Sequence, residues 1–246
     1  MRKISIINYK GGTGKTSTVV NLAHSLSMHG QKVLIVDTDP QGSSGIHLGI
    51  QPKNTIYDLL TQSKTLEECI TPARQNLDII ASNERLFPAE LSMSQLKNRE
   101  HILSKRLNTI SGYQFVLVDC APSINLLNQN ALLFSNEVFL PVSMAYLSLV
   151  GVRQLIQNLA LINKLFNHKI HISKVIPTFF NARRKASKEV LQSISRAFPN
   201  KIGPPIRMCT SIAESSGLEQ TVFEFKNSSN GAVDYLKLCK EVLQNG

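Results

Sequence analysis

Residues 3–17 read KISIINYKGGTGKTS, and this stretch decides the fold. A short run rich in β-branched residues, Lys3–Asn8, precedes a loop with three glycines. Apolar residues at close to helical spacing then continue as far as Gly30. Glycines let backbone N–H groups approach an anion without a Cβ in the way, and a helix N-terminus adds a positive dipole end. A strand, a glycine-rich loop and a helix in this order predict a phosphate-binding loop.

The loop departs from the strict pattern G-x-x-x-x-G-K-S/T, which needs glycine where this chain has Tyr9. It follows the variant K-G-G-x-G-K-S/T, with an additional lysine, Lys10, at its start. We expect Lys15 to contact the β- and γ-phosphates of a nucleotide and the Thr16 hydroxyl to bind Mg²⁺. The predicted nucleotide-binding residues are Lys10, Gly11, Gly12, Thr13, Gly14, Lys15, Thr16 and Ser17. A glycine-rich turn without a ligand is disfavoured, because every expected residue type stands between strand and helix.

Two further clusters place aspartates directly after apolar runs. Asp37 and Asp39 lie in DTDPQG after the run KVLIV, and Asp119 ends the run FVLVD. Ligands of a doubly wound sheet bind beyond the carboxyl ends of its strands, so these carboxylates are expected to reach one site. With Thr16 they form the predicted Mg²⁺ set. Either cluster alone fits a turn, a helix cap or an ordinary strand end, but the neighbouring phosphate loop favours the functional interpretation.

Apolar runs alternate with helical patterns along the rest of the chain. Strands are predicted at Lys3–Asn8, Lys32–Asp37, Leu77–Ala81, Phe115–Asp119, Val138–Val142 and Ile172–Thr178. Helices are predicted at Thr16–Gly30, Thr55–Leu60, Ala89–Ile110, Leu126–Phe134, Leu149–Phe166, Lys185–Phe198 and Gly231–Leu243. Apolar strands alternating with helices indicate a doubly wound α/β fold, a mostly parallel sheet with helices on both faces. No repeat or long linker divides the sequence, so residues 1–246 are expected to form one domain.

The composition excludes several classes of protein. A hydrophobic fraction of 42% with 18% charged residues rules out a disordered chain. The cysteines contain no C-x-x-C pair, which excludes zinc ribbons and thioredoxin-like motifs and favours a reducing cytoplasm; they are Cys69, Cys120, Cys209 and Cys239. No segment resembles a signal peptide or an apolar membrane helix of about 20 residues.

The net charge of +10 is concentrated in the last part of the chain. Residues 1–150 contain 13 Lys and Arg against 11 Asp and Glu, whereas residues 151–246 contain 14 against 6. A surplus of this kind fits a solubilising surface, a nucleic-acid face or a face for an anionic membrane. Charge alone leaves these three interpretations open.

Taken together, the motifs resemble those of the ParA/MinD group of deviant-Walker ATPases, and most closely the short, Soj-type ParA partition ATPases. KGGTGKTS resembles the deviant Walker A loop, VDTDPQGS the switch region after the second strand, and FVLVDCAPS the Walker B strand. PVSMAYLSLVGVRQL resembles the stretch after the next strand, and PPIRMCTSIAESSG is a looser match to the C-terminal segment. The resemblance implies ATP and Mg²⁺ as cofactors, a homodimer in the ATP state, and slow hydrolysis.

The resemblance also implies a role for each matching residue. Lys10 matches the signature lysine that reaches across an ATP-sandwich dimer to the partner's nucleotide, and Lys15 matches the phosphate lysine. Asp39 matches the aspartate that positions the attacking water. Asp37 is expected to support the metal shell, and Asp119 matches the Walker B carboxylate. The catalytic residues predicted in this way are Lys10, Lys15 and Asp39.

Members of the resembled family bind double-stranded DNA without sequence preference, and a ParB-like partner stimulates their hydrolysis. By resemblance we expect a cytoplasmic, nucleoid-associated protein that positions a plasmid, a chromosome region or a protein cargo. Phosphate contacts need only Lys or Arg on one face. The DNA-binding candidates are Arg153, Lys164, Arg183, Arg184, Lys185, Lys188 and Arg207. A second arginine frequent in the family's C-terminal segment is replaced by Ser211, so we expect DNA affinity either to be lower or to be carried by the cluster at 183–188.

Three alternatives remain. A MinD-like membrane ATPase for division-site placement would end in a basic amphipathic helix. Here AVDYLKLCKEVLQNG combines charges that sum to zero with an apolar stripe, typical of a helix packed on the core; the stripe is Ala232, Leu236, Cys239 and Leu243. Membrane association is therefore not expected. An iron–sulfur ATPase would need a second cysteine in a loop comparable to that of Cys120, and the sequence has none. A module without hydrolysis would not need Asp39, so the presence of Asp39 argues against it.

Overall fold

The sheet of the computed structural model has seven strands, and the structure describes residues 1–146 and 148–244. The strands are β1 (Arg2–Ile6), β2 (Val33–Asp37), β3 (Thr71–Arg74), β4 (Leu77–Ile80), β5 (Phe115–Asp119), β6 (Glu137–Ser143) and β7 (His171–Thr178). Their order is β3-β4-β2-β5-β1-β6-β7. Neighbouring strands are parallel except β3, which runs antiparallel to β4 at one edge.

Helices cover both faces of this sheet. They are α1 (Lys15–Met28), α2 (Ser43–His47), α3 (Ile56–Leu60), α4 (Leu66–Cys69), α5 (Leu86–Ser94), α6 (Ile102–Arg106), α7 (Leu126–Phe134), α8 (Ser148–Phe166), α9 (Lys185–Ala197), α10 (Thr210–Gly217), α11 (Val222–Lys226) and α12 (Asn230–Gln244). Successive side chains of a strand point to opposite faces. Val33 and Ile35 accordingly pack in the core cluster formed with α1 and α12, whereas Leu34 and Val36 pack in the cluster on the other face. The predicted doubly wound α/β fold is confirmed.

The predicted strands agree with the structure to within two residues at each end, but one predicted helix is wrong. Ala89–Ile110 is divided into α5, a 3₁₀ turn at Arg99–His101, and α6. Helix α5 ends at Ser94, and Asn98 adopts a φ of 54°, in the left-handed region, so no continuous helix passes through this residue. Strand β3 was not predicted, because it is short and contains Pro72, a residue that sheets accept mainly at their edges.

The sheet brings three strand ends to one edge. β1 lies between β5 and β6, and β5 lies between β1 and β2. Ile6 and Asp37 are both in register with Asp119. The loop after β1 and the aspartates that end β2 and β5 therefore share the carboxyl edge of the sheet, where parallel α/β folds bind ligands.

Helix α2, which follows β2, carries a buried histidine. His47 is 2% exposed and makes a hydrogen bond with the backbone of Gln220. Its Nε2 has no hydrogen-bond partner among the residues described. Burial lowers the pKa of His47 to about 4, because the imidazolium form would lose its hydration.

We predict that His47 makes the free energy of unfolding fall as the pH drops from 6.5 towards 4. The unfolded chain binds a proton at this residue in that range and the folded chain does not, so stability is complete only above the unfolded pKa. The expected loss at this residue is about 2 kcal/mol between pH 7 and pH 5. Urea unfolding at the two pH values measures it.

The variant His47→Leu is expected to lose this part of the pH dependence. The control is His171→Gln, which alters an exposed histidine and leaves the dependence as it is. An unchanged difference between pH 7 and pH 5 in His47→Leu would contradict the assignment.

Candidate active site

The phosphate loop connects β1 to α1, as predicted. Gly12 and Gly14 have φ angles of 67° and 82°, which glycine adopts without steric cost. A Cβ atom built on Gly11 or Gly12 would meet no other atom within 4 Å, so both residues face open space. That space is a cavity of about 310 Å³, lined by Gly11, Gly12, Thr13, Gly14, Lys15, Thr16, Ser17, Asp39, Pro122 and Phe179.

The first turn of α1 is free for an anion. Gly14 precedes the helix and offers no side-chain cap, and the first turn contains no acidic residue. The first N–H groups of a helix have no intrahelical acceptor, so they attract phosphate oxygens at this end. All of the predicted nucleotide-binding residues except Lys10 therefore line one cavity at a helix N-terminus.

The two lysines of the loop lie in different surroundings. Lys15 is 7% exposed, and its Nζ donates to the carbonyl of Lys10 at 3.4 Å. Burial lowers the pKa of Lys15, and the nearby carboxylate of Asp119 opposes that shift. Lys10 turns away from this point, and its Nζ donates to the Ser148 hydroxyl at 3.4 Å. Ser148 in turn lies 2.6 Å from the hydroxyl of Ser143.

Two of the three aspartates are buried. Asp37 accepts hydrogen bonds from the backbone N–H groups of Asp39 and Ser44, each at 3.0 Å. Asp119 accepts one from the Ser44 hydroxyl at 2.8 Å through Oδ2 and another from the Thr16 hydroxyl. Its Oδ1 is buried and has no partner within the described ranges. A buried carboxylate oxygen without a donor is the kind of group that a bound cation satisfies.

Burial raises the pKa of both carboxylates. For Asp37 the shift is large, and the charge of Asp119 raises it further. The pKa of Asp119 rises to about 6, while hydrogen bonds from Thr16 and Ser44 act in the opposite direction. A cation near the pair would favour the ionised forms, so the electrostatics fit a divalent ion.

The metal-binding residues predicted from the sequence do not all play the same part. Among residues 1–146 and 148–244, no three His, Cys, Asp or Glu side chains form a group that could hold a metal ion. Mg²⁺ commonly uses one or two carboxylates together with phosphate oxygens, and Thr16 and Asp119 fit that arrangement. Asp37 uses both oxygens to order the loop, so its place in the metal shell stays a prediction.

Asp39 lies at the rim of the cavity and is half-buried. Its Oδ1 accepts the backbone N–H of Gln41 at 3.0 Å. The loop that carries it is fixed by Thr38, whose N–H and hydroxyl both donate to the carbonyl of Asp119, at 2.9 and 2.7 Å. This position suits a carboxylate that orients a water next to a bound phosphate.

A second cavity adjoins the phosphate loop and was not predicted. It measures about 190 Å³ and is lined by Gly14, Ser17, Thr178, Phe179, Ile206, Arg207, Cys209, Ile212, Ala213 and Tyr235. The hydroxyl of Thr178 donates to the carbonyl of Thr13 at 2.8 Å, which joins β7 to the loop. Phe179 borders both cavities and has a φ of 53°. Largely apolar walls beside a phosphate cradle suit a nucleotide base.

The basic candidates fall into two groups. Six of them are exposed: Arg153 and Lys164 on α8, Arg183 and Arg184 just before α9, and Lys185 and Lys188 on α9. Arg207 differs, because its guanidinium binds both carboxylate oxygens of Asp234, at 2.8 and 2.7 Å. Ser211, at the position of the missing arginine, is buried.

Comparison with known proteins identifies the family of this chain. A family model described as an AAA domain matches residues 1–172. The sporulation initiation inhibitor protein Soj of Bacillus subtilis is 35% identical over 251 residues, which cover 99% of this chain and 98% of Soj. The chromosome partitioning protein ParA of Caulobacter vibrioides is 31% identical, over 99% of this chain and 94% of ParA. The chain belongs to the ParA/MinD family of P-loop ATPases and is of the Soj type.

Solved structures show the same fold. Cobyrinic acid a,c-diamide synthase from Mycobacterium smegmatis, with a bound ATP analog and magnesium, matches with a TM-score of 0.86 at 24% identity, over 100% of this chain and 95% of the synthase. The ATP complex of a variant of McdA from Cyanothece matches with a TM-score of 0.88 at 20% identity, over 99% of this chain and 96% of McdA. In the described part of the chain, the cradle and the buried, unpartnered Oδ1 of Asp119 fit ATP and Mg²⁺ as cofactors.

Two alternatives lose support within this Soj-type chain. Cys120 is fully buried and its thiol donates to the carbonyl of Val118, so it does not face a partner subunit as a cluster ligand would. Ala232 and Cys239 of α12 are buried in the core and Leu243 packs against it, whereas Leu236, the fourth residue of the predicted stripe, is half-buried. Three of the four stripe residues thus pack on the core. In the described part of the chain, no helix combines the length and apolarity needed to cross a membrane.

We predict that Lys15→Ala weakens the binding of Mg²⁺–ATP about 100-fold, because charge-assisted hydrogen bonds to phosphate are lost from a nearly buried position. Fluorescence anisotropy of a labelled ATP analogue measures the affinity. Lys53→Ala is the control, since Lys53 is exposed and does not line the cavity. Equal affinities of Lys15→Ala and the unchanged protein would remove Lys15 from the site.

Proposed function

We propose that this protein is an ATP-controlled positioning switch. Its ATP-bound homodimer binds double-stranded DNA without sequence preference, and a ParB-like partner stimulates slow hydrolysis and thereby releases the dimer. The name of the Caulobacter relative, a chromosome partitioning protein, supports a chromosome region or plasmid as the cargo. The protein would then be associated with the nucleoid.

A short path from the nucleotide cradle to the basic segment carries this proposal. The loop residue Thr13 is bonded to Thr178 at the end of β7, and Phe179 borders the cradle. The chain reaches Arg183 five residues after Thr178. A change in the loop on nucleotide binding is therefore passed through few bonds to the cations before α9.

Three cations lie at the N-terminus of α9, where a helix usually favours anions. Arg183, Arg184 and Lys185 surround the N-terminus of α9, and its first turn contains no acidic residue. Cations are disfavoured there because the helix dipole is positive at this end. The Lys185 side chain is 91% exposed, and its Nζ is 3.8 Å from Oε1 of Glu189, which is a long distance for an ion pair. DNA phosphates would supply the negative charge that this helix end lacks.

The other candidates contribute unequally to this surface. A hydrogen bond from Tyr146, just before α8, to Glu189 of α9 holds the beginnings of the two helices together, and Arg153 lies in the first half of α8. Lys164 lies 11 residues further along α8, a distance of about 16 Å. Arg207 is neutralised by Asp234, so we leave it out of the proposed DNA surface.

Hydrolysis by one subunit alone is expected to be slow. ATP supplies the phosphoryl group, and Mg²⁺ neutralises part of its charge. Lys15 and the N–H groups of α1 bind the phosphates, and Asp39 orients the water. Lys10 donates to Ser148 outside its own cradle. In the proposed dimer, each cradle therefore receives its additional positive charge from Lys10 of the other subunit.

The Lys10–Ser148 contact also offers a route for stimulation by the partner protein. Ser148 begins α8, whose exposed face is accessible to another protein. A partner that shifts the start of this helix would weaken the contact and free Lys10 for the phosphate. We therefore place the activating surface at the beginning of α8.

We predict that Asp39→Ala binds ATP and forms the ATP-dependent dimer, but hydrolyses ATP at least about 100-fold more slowly, because the water loses its orienting carboxylate. Phosphate release measures turnover, and light scattering with ATP or ADP measures the dimer. Gln41→Ala is the control, because it keeps the backbone N–H that Asp39 accepts. Undiminished turnover in Asp39→Ala would exclude this role.

We predict that non-specific duplex DNA shifts in a gel only with ATP and Mg²⁺, and less at higher salt, because phosphate contacts release counterions. Charge reversal at Arg183 and Arg184 is expected to weaken binding at least about tenfold with ATP affinity unchanged. Arg196→Glu, at the opposite end of α9, is the matched control.

The outcomes separate the parts of this proposal. Unchanged DNA affinity in the double reversal would move the DNA surface elsewhere. No shift in any nucleotide state, together with ATP-dependent sedimentation on anionic liposomes, would replace DNA by a membrane surface as the partner.

A further inference from the structure

Ser44 links the two buried carboxylates of the active site. Its backbone N–H donates to Oδ2 of Asp37 at 3.0 Å, and its hydroxyl donates to Oδ2 of Asp119 at 2.8 Å. The residue is fully buried. One serine thus contacts the ends of both β2 and β5.

These bonds close a ring around the loop that carries Asp39. Asp37 accepts the N–H of Asp39 at the beginning of the loop and the N–H of Ser44 at its end. Thr38 holds the loop to the carbonyl of Asp119, whereas the hydroxyl of Ser44 ties α2 to the Asp119 carboxylate. A shift of α2 therefore changes the positions of Asp39 and of the Asp119 side chain together.

The hydroxyl of Ser44 also decides which oxygen of Asp119 is available. It occupies Oδ2, while Oδ1 is buried without a partner among the residues that the structure describes. A carboxylate held by a donor on one oxygen cannot rotate without losing that bond. Fixing a ligand through its neighbours is how surrounding residues tune metal affinity.

We propose that Ser44 is a positioning residue for Mg²⁺-dependent ATP hydrolysis, acting through Asp119 and through the Asp39 loop. The inference rests on the proposed function, since it takes Asp119 as the carboxylate that serves Mg²⁺ and Asp39 as the one that orients water. Ser44 itself touches neither ATP nor the cation in this account. Its hydroxyl keeps Oδ1 directed for the cation, and its N–H keeps the water-orienting loop closed.

The test compares nucleotide affinity with and without Mg²⁺, using a labelled ATP analogue with added MgCl₂ or EDTA. Ser44→Ala removes the hydroxyl and keeps the N–H bond to Asp37. We expect affinity in EDTA to match that of the unchanged protein, and the gain in affinity on adding Mg²⁺ to fall about tenfold, the effect of losing one hydrogen bond to a charged group. Ser43→Ala, the neighbouring helix position outside this ring of bonds, keeps the full gain.

Turnover and a double-mutant cycle separate positioning from a loss of structure. In Ser44→Ala we expect kcat to fall with little change in KM for ATP at saturating Mg²⁺, and Ser44→Thr, which retains a hydroxyl, to recover part of the Mg²⁺ effect. If Ser44 acts through Asp119, adding Ser44→Ala to Asp119→Asn causes no further loss of the Mg²⁺ effect. Additive losses would assign Ser44 a merely structural role.

The same measurements distinguish failure of this inference from failure of the site. If Asp119→Asn keeps the full Mg²⁺ effect, the assignment of Asp119 itself is wrong. If Asp119→Asn loses the effect but Ser44→Ala keeps it, the site stands and the role of Ser44 is overturned.

Discussion

The repulsion between Asp37 and Asp119 is the constraint on which the active site depends. β2 and β5 are neighbours with these residues in register, so the fold buries two carboxylates side by side. Like charges in a dry environment are tolerated only with donors close by. The chain supplies them by folding the segment after β2 back over the strand ends, where Ser44 and the N–H of Asp39 reach the pair. The position of Asp39 at the cavity rim follows from this folding back.

The positive groups of the site partly offset the negative charge of these carboxylates. Lys15 is almost buried although burial lowers its pKa, and the nearby carboxylate of Asp119 partly offsets that loss. The uncapped N-terminus of α1 lies at the same edge of the sheet. Carboxylates and positive groups thus lie close together at this edge of the sheet. A phosphate chain with its divalent cation would interact favourably with both, which agrees with membership in an ATPase family.

Most of the fold could be predicted because its signals are local. Phe115–Asp119 was predicted to the residue, since four buried apolar positions before an aspartate are visible in the sequence itself. The break in Ala89–Ile110 was not visible, because the periodicity does not reveal the left-handed Asn98 or the bond from the N–H of Leu126 to Glu90. Ser44 and the cavity beside Phe179 were missed for the same reason. Their surroundings arise from segments that are distant in sequence.

The basic residues of the sequence were less informative about the DNA-binding surface than the ion pairs of the structure. Arg207 counted among the basic candidates, but its partner Asp234 lies 27 residues away and could not be identified from the pattern. Arg2 and Lys174 are likewise paired, with Glu137 and Glu241. Arg183 and Arg184 instead stand just before the N-terminus of α9, where the helix dipole disfavours cations. Proteins keep such local conflicts mainly where function requires them. The conflict at α9 therefore argues for an external polyanion more strongly than the net charge does.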